Sequence, residues 1–357
     1  MALESRLLSA EWQRAVREFN GRLNAAGIAA GLRLPVEPHD PVLLPGSQVH
    51  LVIEGGAVRG GFILRPQSFF FSGVERRVTH YRLPLSEGLI DRRYAVLGPW
   101  MLRRALQIDP LLYALGMGGY DRPLPRMLAA MGWRLSSIPF YFRIVHGGSV
   151  LRGLRAVRQN PWRAALFNLA AWTGLGGTGL AAWQRFRTRR PLSEVAAKPV
   201  DDFNVWADEI WETSHRAYEL TALRDAHTLR QLYPPGAARF LKLRVNSAGW
   251  AVMLDTSMRD DPYFGDLRVG TIVDSMAKPE NAAAVIHAAR RYLEQRGVDL
   301  IISNQAHPAW AAALKGDGFF EGPSNFLLGA SKAFSEALGP KAELHLNRGD
   351  GDGPVNL

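Results

Sequence analysis

Apolar and polar positions alternate along VHLVIEGGAVRGGFIL (residues 49–64) and SFFFSGVERRVTHYRLPL (68–85), with glycines at the crossings. That is the period of antiparallel strands joined by tight turns. Helical spacing takes over at about 96–107 and 123–131, with a strand at 111–116 between them and one over 135–145 (LSSIPFYFRIV) after them. Beyond a stretch of different character at 149–198, the order recurs: helices at 203–217 and 225–233, a hairpin over 240–256, a strand at 269–275 and a helix over 281–297 that stops at Gly297. The first 34 residues read as one or two amphipathic helices, and 343–347 as one more strand.

A short design occurs twice. Residues 111–133 (LLYALGMGGYDRPLPRMLAAMGW) and 300–319 (LIISNQAHPAWAAALKGDGF) each run from an apolar strand through a small or polar crossing into a short Ala-rich helix. The matched ends are Leu128 to Gly132-Trp133 and Leu314 to Gly318-Phe319. The glycine supplies a positive-φ stop and the aromatic opens the next buried strand. Two related modules follow from this: 1–148, a basic helical linker at 149–198, 199–347, and a Gly/Asp-rich tail at 348–357.

At 357 residues, 47% of them hydrophobic, the chain can fill two cores. It has no cysteine, which excludes disulfides, thiolate nucleophiles and Cys-ligated zinc and points to the cytoplasm. The net charge of +10 is concentrated, with eight arginines and no acid in 151–190. No zinc-finger spacing, RNP-like strand or basic zipper accompanies it, so DNA is not an expected partner. Residues 164–183 carry no charge, but glycines, Asn168 and two threonines dilute them. A helical hairpin resting on anionic lipid, peripheral to the membrane and anchored by Trp162, Trp172 and Trp183, fits that pattern. A helical pair packed between the modules fits it as well.

Helices, antiparallel hairpin, splayed strand, helix, strand, helix and strand form an order that resembles the GNAT acyltransferase superfamily. Its cofactor signature, Arg/Gln-x-x-Gly-x-Gly/Ala at a strand-to-helix turn, receives pyrophosphate on backbone N–H groups. Arg93, Val96, Leu97 and Gly98 fall on it, with Val96 at the family's first glycine and Pro99-Trp100 directly after. The corresponding loop of the second module, MetAlaLysProGlu (276–280), has no glycine. Residues 45–335 are similar to the Fem-type aminoacyltransferases and the two-domain GNAT-like proteins of envelope and exopolysaccharide pathways. The resemblance implies an α/β protein of two tandem mixed-sheet modules that moves an acyl group from acetyl-CoA or another acyl-CoA to an amine-bearing sugar or envelope precursor. Its alternatives are a Fem-like transferase using aminoacyl-tRNA and an inactive scaffold.

Acyl transfer to an amine needs a base, an oxyanion donor and an acid for the departing thiolate. Glu87, just before the Arg93 loop, is the candidate base, and Tyr120 or Tyr113 the candidate acid. In the second module Asp274, Asn304 and His307 hold the corresponding positions, and Asp350 and Asp352 on the Gly-rich tail present two carboxylates to an amine. The plainer readings are that Glu87 caps a turn, the tyrosines pack, His307 caps a helix and the tail is solvated. Gly174 to Gly179 fits Gly-x-Gly-x-x-Gly, but an Ala-rich stretch precedes it where a strand is needed. Nine scattered histidines show no zinc-ligand spacing, so no metal is expected.

Overall fold

Side-chain alternation carries the sheets, and it starts earlier than the sequence suggests. The computed structural model describes residues 3–153 and 196–351, apart from residues 30, 72, 262, 340 and 341. Contacts divide these into two units: one from Met1–Phe69, Glu75–Ser136 and Leu327–Lys341, the other from Phe70–Val74, Ser137–Phe326 and Ala342–Leu357. Residues 154–195 of the linker expected at 149–198, with its Gly-x-Gly-x-x-Gly and its membrane-hairpin reading, lie outside the described residues.

The strands of the first half are β1 (Glu4–Leu7), β2 (Gln48–Glu54), β3 (Ala57–Phe71), β4 (Val74–Ser86), β5 (Leu112–Leu115) and β6 (Arg134–Ser137). Those that follow are β7 (Phe140–Ile144), β8 (Lys198–Val200), β9 (Leu220–Ala222), β10 (Leu241–Val245), β11 (Gly249–Ser257), β12 (Arg268–Ala277), β13 (Leu300–Asn304), β14 (Phe320–Gly322), β15 (Leu327–Ala330) and β16 (Leu344–His345). The expected N-terminal helix is thus partly a strand: β1 pairs antiparallel with β2, Glu4 opposite Ile53, before the helix Gln13–Ala25 begins.

In the first unit the sheet runs β1-β2-β3-β4-β5-β15-β6. One face packs Val52, Phe62, Leu64 and Tyr81 against the helices Leu97–Ile108 and Pro123–Ala130. The other packs Leu51, Ile53, Ile63 and Leu85 against Val16, Phe19 and Leu23 of Gln13–Ala25. In the second unit the order is β14-β7-β13-β12-β11-β10-β8, its core built around Phe203, Tyr233, Trp250 and Trp310 under the helices Val205–Ser214 and Ala282–Gln295.

The units interleave along the chain. The strand expected over 135–145 is two strands in two sheets, β6 in the first and β7 in the second, broken where Pro139 cannot donate to a ladder. The boundary drawn after residue 148 falls beyond this crossing, and β15, which follows β14, lies back in the first sheet beside β5. Both repeated helix stops have the expected geometry. Gly132 has φ 80° and Gly318 φ 82°, and the amides of Trp133 and Phe319 close on Leu128 and Leu314 carbonyls at 3.0 Å.

Candidate functional site

Among the described residues, each unit holds a central pair of parallel strands that parts toward its carboxyl end. In the first, β4 and β5 are registered only at Thr79 with Leu112 and His80 with Tyr113. β4 continues to Ser86, and Leu83 on it adopts φ 46°, a conformation that costs a leucine energy. β5 ends at Leu115, followed by Gly116 at φ 80°.

The helix Leu97–Ile108 is the crossover from β4 to β5, so its first turn stands at the carboxyl end of the fork, where open α/β sheets take ligands. Val96 is its N-cap, 67% exposed, and Leu97 is buried beneath. Gly98 sits so close to Met127 that a Cβ would lie 3.0 Å from its Sδ. The N–H groups of this turn lack helical partners and carry the positive end of the helix dipole. Arg93 stands one 3-10 turn earlier, exposed, its guanidinium closed on Asp91 at 2.7 Å. That hydrogen bond holds the Asp91 carboxyl below its usual range. Val96, Leu97 and Gly98 therefore come together, while Arg93 is engaged beside them.

Glu87, Tyr113 and Tyr120 do not converge. Glu87 is buried and commits one oxygen to Arg22 Nε at 2.6 Å and the other to Arg59 Nη1 at 2.9 Å, tying Gln13–Ala25 to β3. Tyr113 is buried at the fork, its ring stacked on His80 at 4.5 Å and 7° and its hydroxyl accepting from Gln67 Nε2. Tyr120 is 53% exposed on the turn that precedes Pro123–Ala130.

The second fork is filled by the chain itself. β12 and β13 are registered from Val269 with Leu300 to Ile272 with Ser303. Past that point Asn347 forms a bridge with Gln305, Ala306 N–H donates to the Leu346 carbonyl at 2.9 Å, and Arg348 Nη1 donates to Asn304 Oδ1 at 3.2 Å. Beneath lies a closed ionic network. Arg224, 3% exposed, donates from Nε to Asp274 at 2.8 Å and from Nη2 to Asp350 at 2.6 Å. Asp274, at 0% exposure, also accepts from the Tyr233 hydroxyl at 2.7 Å and from Asn347 Nδ2 at 3.0 Å.

Electrostatics follow burial. Desolvation opposes the charge on Arg224, but Asp274 and Asp350 outweigh it and hold the guanidinium protonated. Burial, and then Asp274, raise the Asp350 carboxyl against the pull of Arg224. Burial alone brings Arg348 down to about 10. Asp274, Asn304 and Asp350 are thus gathered in one place, yet their polar atoms are engaged within the fold: Asp350 by Arg224 and Asn347, Asp274 by Arg224, Tyr233 and Asn347, and Asn304 by Arg348 and the Pro139 carbonyl. The residues from Arg348 to Asp350, drawn as tail, form a buried 3-10 turn with an Asn347/Asp350 capping box; Asp352 is outside the described residues.

His307 caps the helix Pro308–Gly316, accepting from Ala309 N–H at 3.2 Å, and meets the Tyr218 ring edge-on. Burial lowers its imidazole against the opposing pull of Glu343. Arg224, Tyr233 and Asn347 escape sequence reasoning because Arg224 and Asp350 stand 126 positions apart and no local pattern marks the pair. Gly349 could have been suspected. A Cβ there would meet Asp274 Oδ2 at 2.5 Å and the Tyr233 hydroxyl at 2.8 Å. Gly349→Ala is accordingly expected to cost about 1–3 kcal/mol, read from the urea midpoint.

Among the described residues no group of three or more His, Asp or Glu side chains could hold a metal, and no helix is long and apolar enough to cross a membrane. No protein-family model and no curated protein matches the sequence. Solved structures do match the fold. Saccharomyces cerevisiae N-myristoyltransferase, solved with bound myristoyl-CoA and inhibitors, aligns with 92% of this chain over 79% of its own at TM-score 0.54 and 10% identity. A probable N-acyltransferase from Enterococcus faecalis V583 aligns with 94% over 74% at TM-score 0.55 and 11% identity. A GCN5-related N-acetyltransferase from Anabaena variabilis aligns with 92% over 72% at TM-score 0.55 and 10% identity. The chain has the mixed α/β fold of the GNAT N-acyltransferases, as the resemblance implied.

Proposed function

We propose that this chain is an acyl-CoA-dependent N-acyltransferase whose donor occupies the first fork and whose acceptor is an amino group on a sugar or cell-envelope precursor. The observation that carries the reading is the parting of β4 from β5 after His80 and Tyr113, with the chain leading from the carboxyl end of β4 through two 3-10 turns into Leu97–Ile108. An extended pantetheine arm hydrogen-bonds along separated strand edges, and its pyrophosphate meets the N–H groups of Leu97 and Gly98. The second fork, filled by Asn347 and Arg348, supplies fold and surface in this reading instead of a second donor site. The arginine-rich stretch 151–190 brings the chain to anionic lipid, where a lipid-linked precursor resides.

The test is calorimetric titration with acetyl-CoA of the natural chain and of Val96→Glu. Val96 is exposed, so the new carboxylate disturbs no packing, whereas glutamate at Gly98 would press on Met127. Saturable binding with one site per chain, weakened at least 10-fold by Val96→Glu, is expected. No binding at millimolar ligand would refute the reading.

A further inference from the structure

Resting on the first-fork reading, we propose that His80 is the catalytic base that takes the proton from the attacking amine, with Tyr113 as the residue that positions its ring. With the pyrophosphate at the mouth of the fork, the thioester end of the donor lies at the inner end. From Ser86 back to His80 the strand covers about 20 Å at ~3.3 Å per residue, the length scale of an extended pantetheine arm. His80 and Tyr113 are the last registered pair there.

His80 is 1% exposed, and its Nδ1 is buried with no hydrogen-bond partner. A buried polar atom left unpaired costs free energy, and the exception calls for a partner that the folded chain does not supply. Stacking on Tyr113 fixes the ring plane, and Gln67 in turn holds the Tyr113 hydroxyl. The charged groups acting on the imidazole are Arg65 on β3 and Arg82 on its own strand. Burial first, then Arg82 and Arg65, keep the ring well below its ordinary value, so at neutral pH it stands in its basic, uncharged form. Glu87, the carboxylate sequence reasoning favours as base, has both oxygens committed to arginines.

The step balances without a further reactant. The neutral amine nitrogen bonds to the thioester carbonyl carbon, its proton passes to His80 Nδ1, the C–S bond breaks, and that proton goes to the departing thiolate. Amide and CoA thiol are the products.

Three measurements on the full chain test this. Release of CoA thiol from acetyl-CoA is followed with glucosamine and a panel of other primary amines, for the natural chain, His80→Asn and His80→Gln. Acetyl-CoA affinity is measured for each. The ¹⁵N resonances of the His80 ring are recorded in the natural chain with and without acetyl-CoA, which needs no variant to fold. Release is expected to fall 10²- to 10⁴-fold in the variants, with affinity changed less than 3-fold. Nδ1 is expected to be unprotonated at pH 7 and to shift when acetyl-CoA is added. Near-normal release by either variant, a protonated Nδ1, or a ring indifferent to bound acetyl-CoA would each overturn the assignment and leave the donor site standing. Absence of acetyl-CoA binding by the natural chain would overturn the donor site and the assignment together.

Discussion

Taking the protein from pH 7 to pH 5 is expected to remove roughly 4–6 kcal/mol of its folding stability, at about 1.4 kcal/mol per pH unit for each histidine held neutral by the fold. The imidazoles of His80 and His345 are fully enclosed and held well below the ordinary value, in each case chiefly by burial. His50 is brought to about 4 by burial and by Arg104, and His307 is lowered less, with Glu343 opposing. In the unfolded chain these rings take up protons near pH 6.5, whereas the folded chain refuses them. The unfolded state thus binds more protons throughout the window from about 6.5 down to 4, and stability rises with pH across it. Asp350 acts with the opposite sign, because its raised carboxyl gains a proton in the fold first. Urea midpoints at pH 7, 6 and 5 and constant ionic strength measure the effect. A midpoint that does not move would mean the rings are protonated or solvated in the fold, and His50→Gln should flatten the slope by its own share.

Asp274→Asn is expected to cost about 3–5 kcal/mol, the usual consequence of removing one member of an enclosed ionic set. The substitution keeps the volume but leaves Arg224, 3% exposed, facing Asp350 alone, and forces an amide to replace the carboxylate that accepts from both Tyr233 and Asn347. Because Asn347 donates to Asp274 and bridges Gln305 in the second fork, local opening should accompany the loss. Amide exchange at Ala306 and Gly349 is expected to quicken along with the drop in the urea midpoint. Removing the surface pair Arg230 and Asp202 by the same chemistry is expected to leave the midpoint unmoved, since water screens it. Equal effects at the two pairs would show that the buried network contributes no more than an exposed one.

Much of the first fork was readable in the chain. Residues 68–85 alternate as β4 does, the run 111–116 is β5, and helical spacing begins one residue before Leu97. Those signals are local, decided by side-chain period and by where Gly and Pro stop an element. The expected helix stops at Gly132 and Gly318 follow for the same reason. Candidate roles fared differently. A glutamate beside a loop looks the same in sequence whether it faces solvent or two arginines, and Arg22 and Arg59, which claim Glu87, come from another helix and another strand. His80 sits inside a strand whose period predicts only its face, so its unpaired ring nitrogen became visible only once Tyr113 was stacked upon it.

The sequence by itself determined most of the strands and helices, the duplicated strand–helix–glycine unit and the absence of cysteine chemistry. Tertiary structure decided which strands share a sheet: β7 joins β13 and β14, β15 joins β5, and the end of the chain, read in sequence as a strand at 343–347 and an acidic tail, closes the second fork. The physical reason is distance along the chain. Hydrophobic period and turn chemistry act over a few residues, whereas pairings such as Arg224 with Asp350 or β5 with β15 join segments more than a hundred residues apart and are selected only by the packing and charge they satisfy once folded.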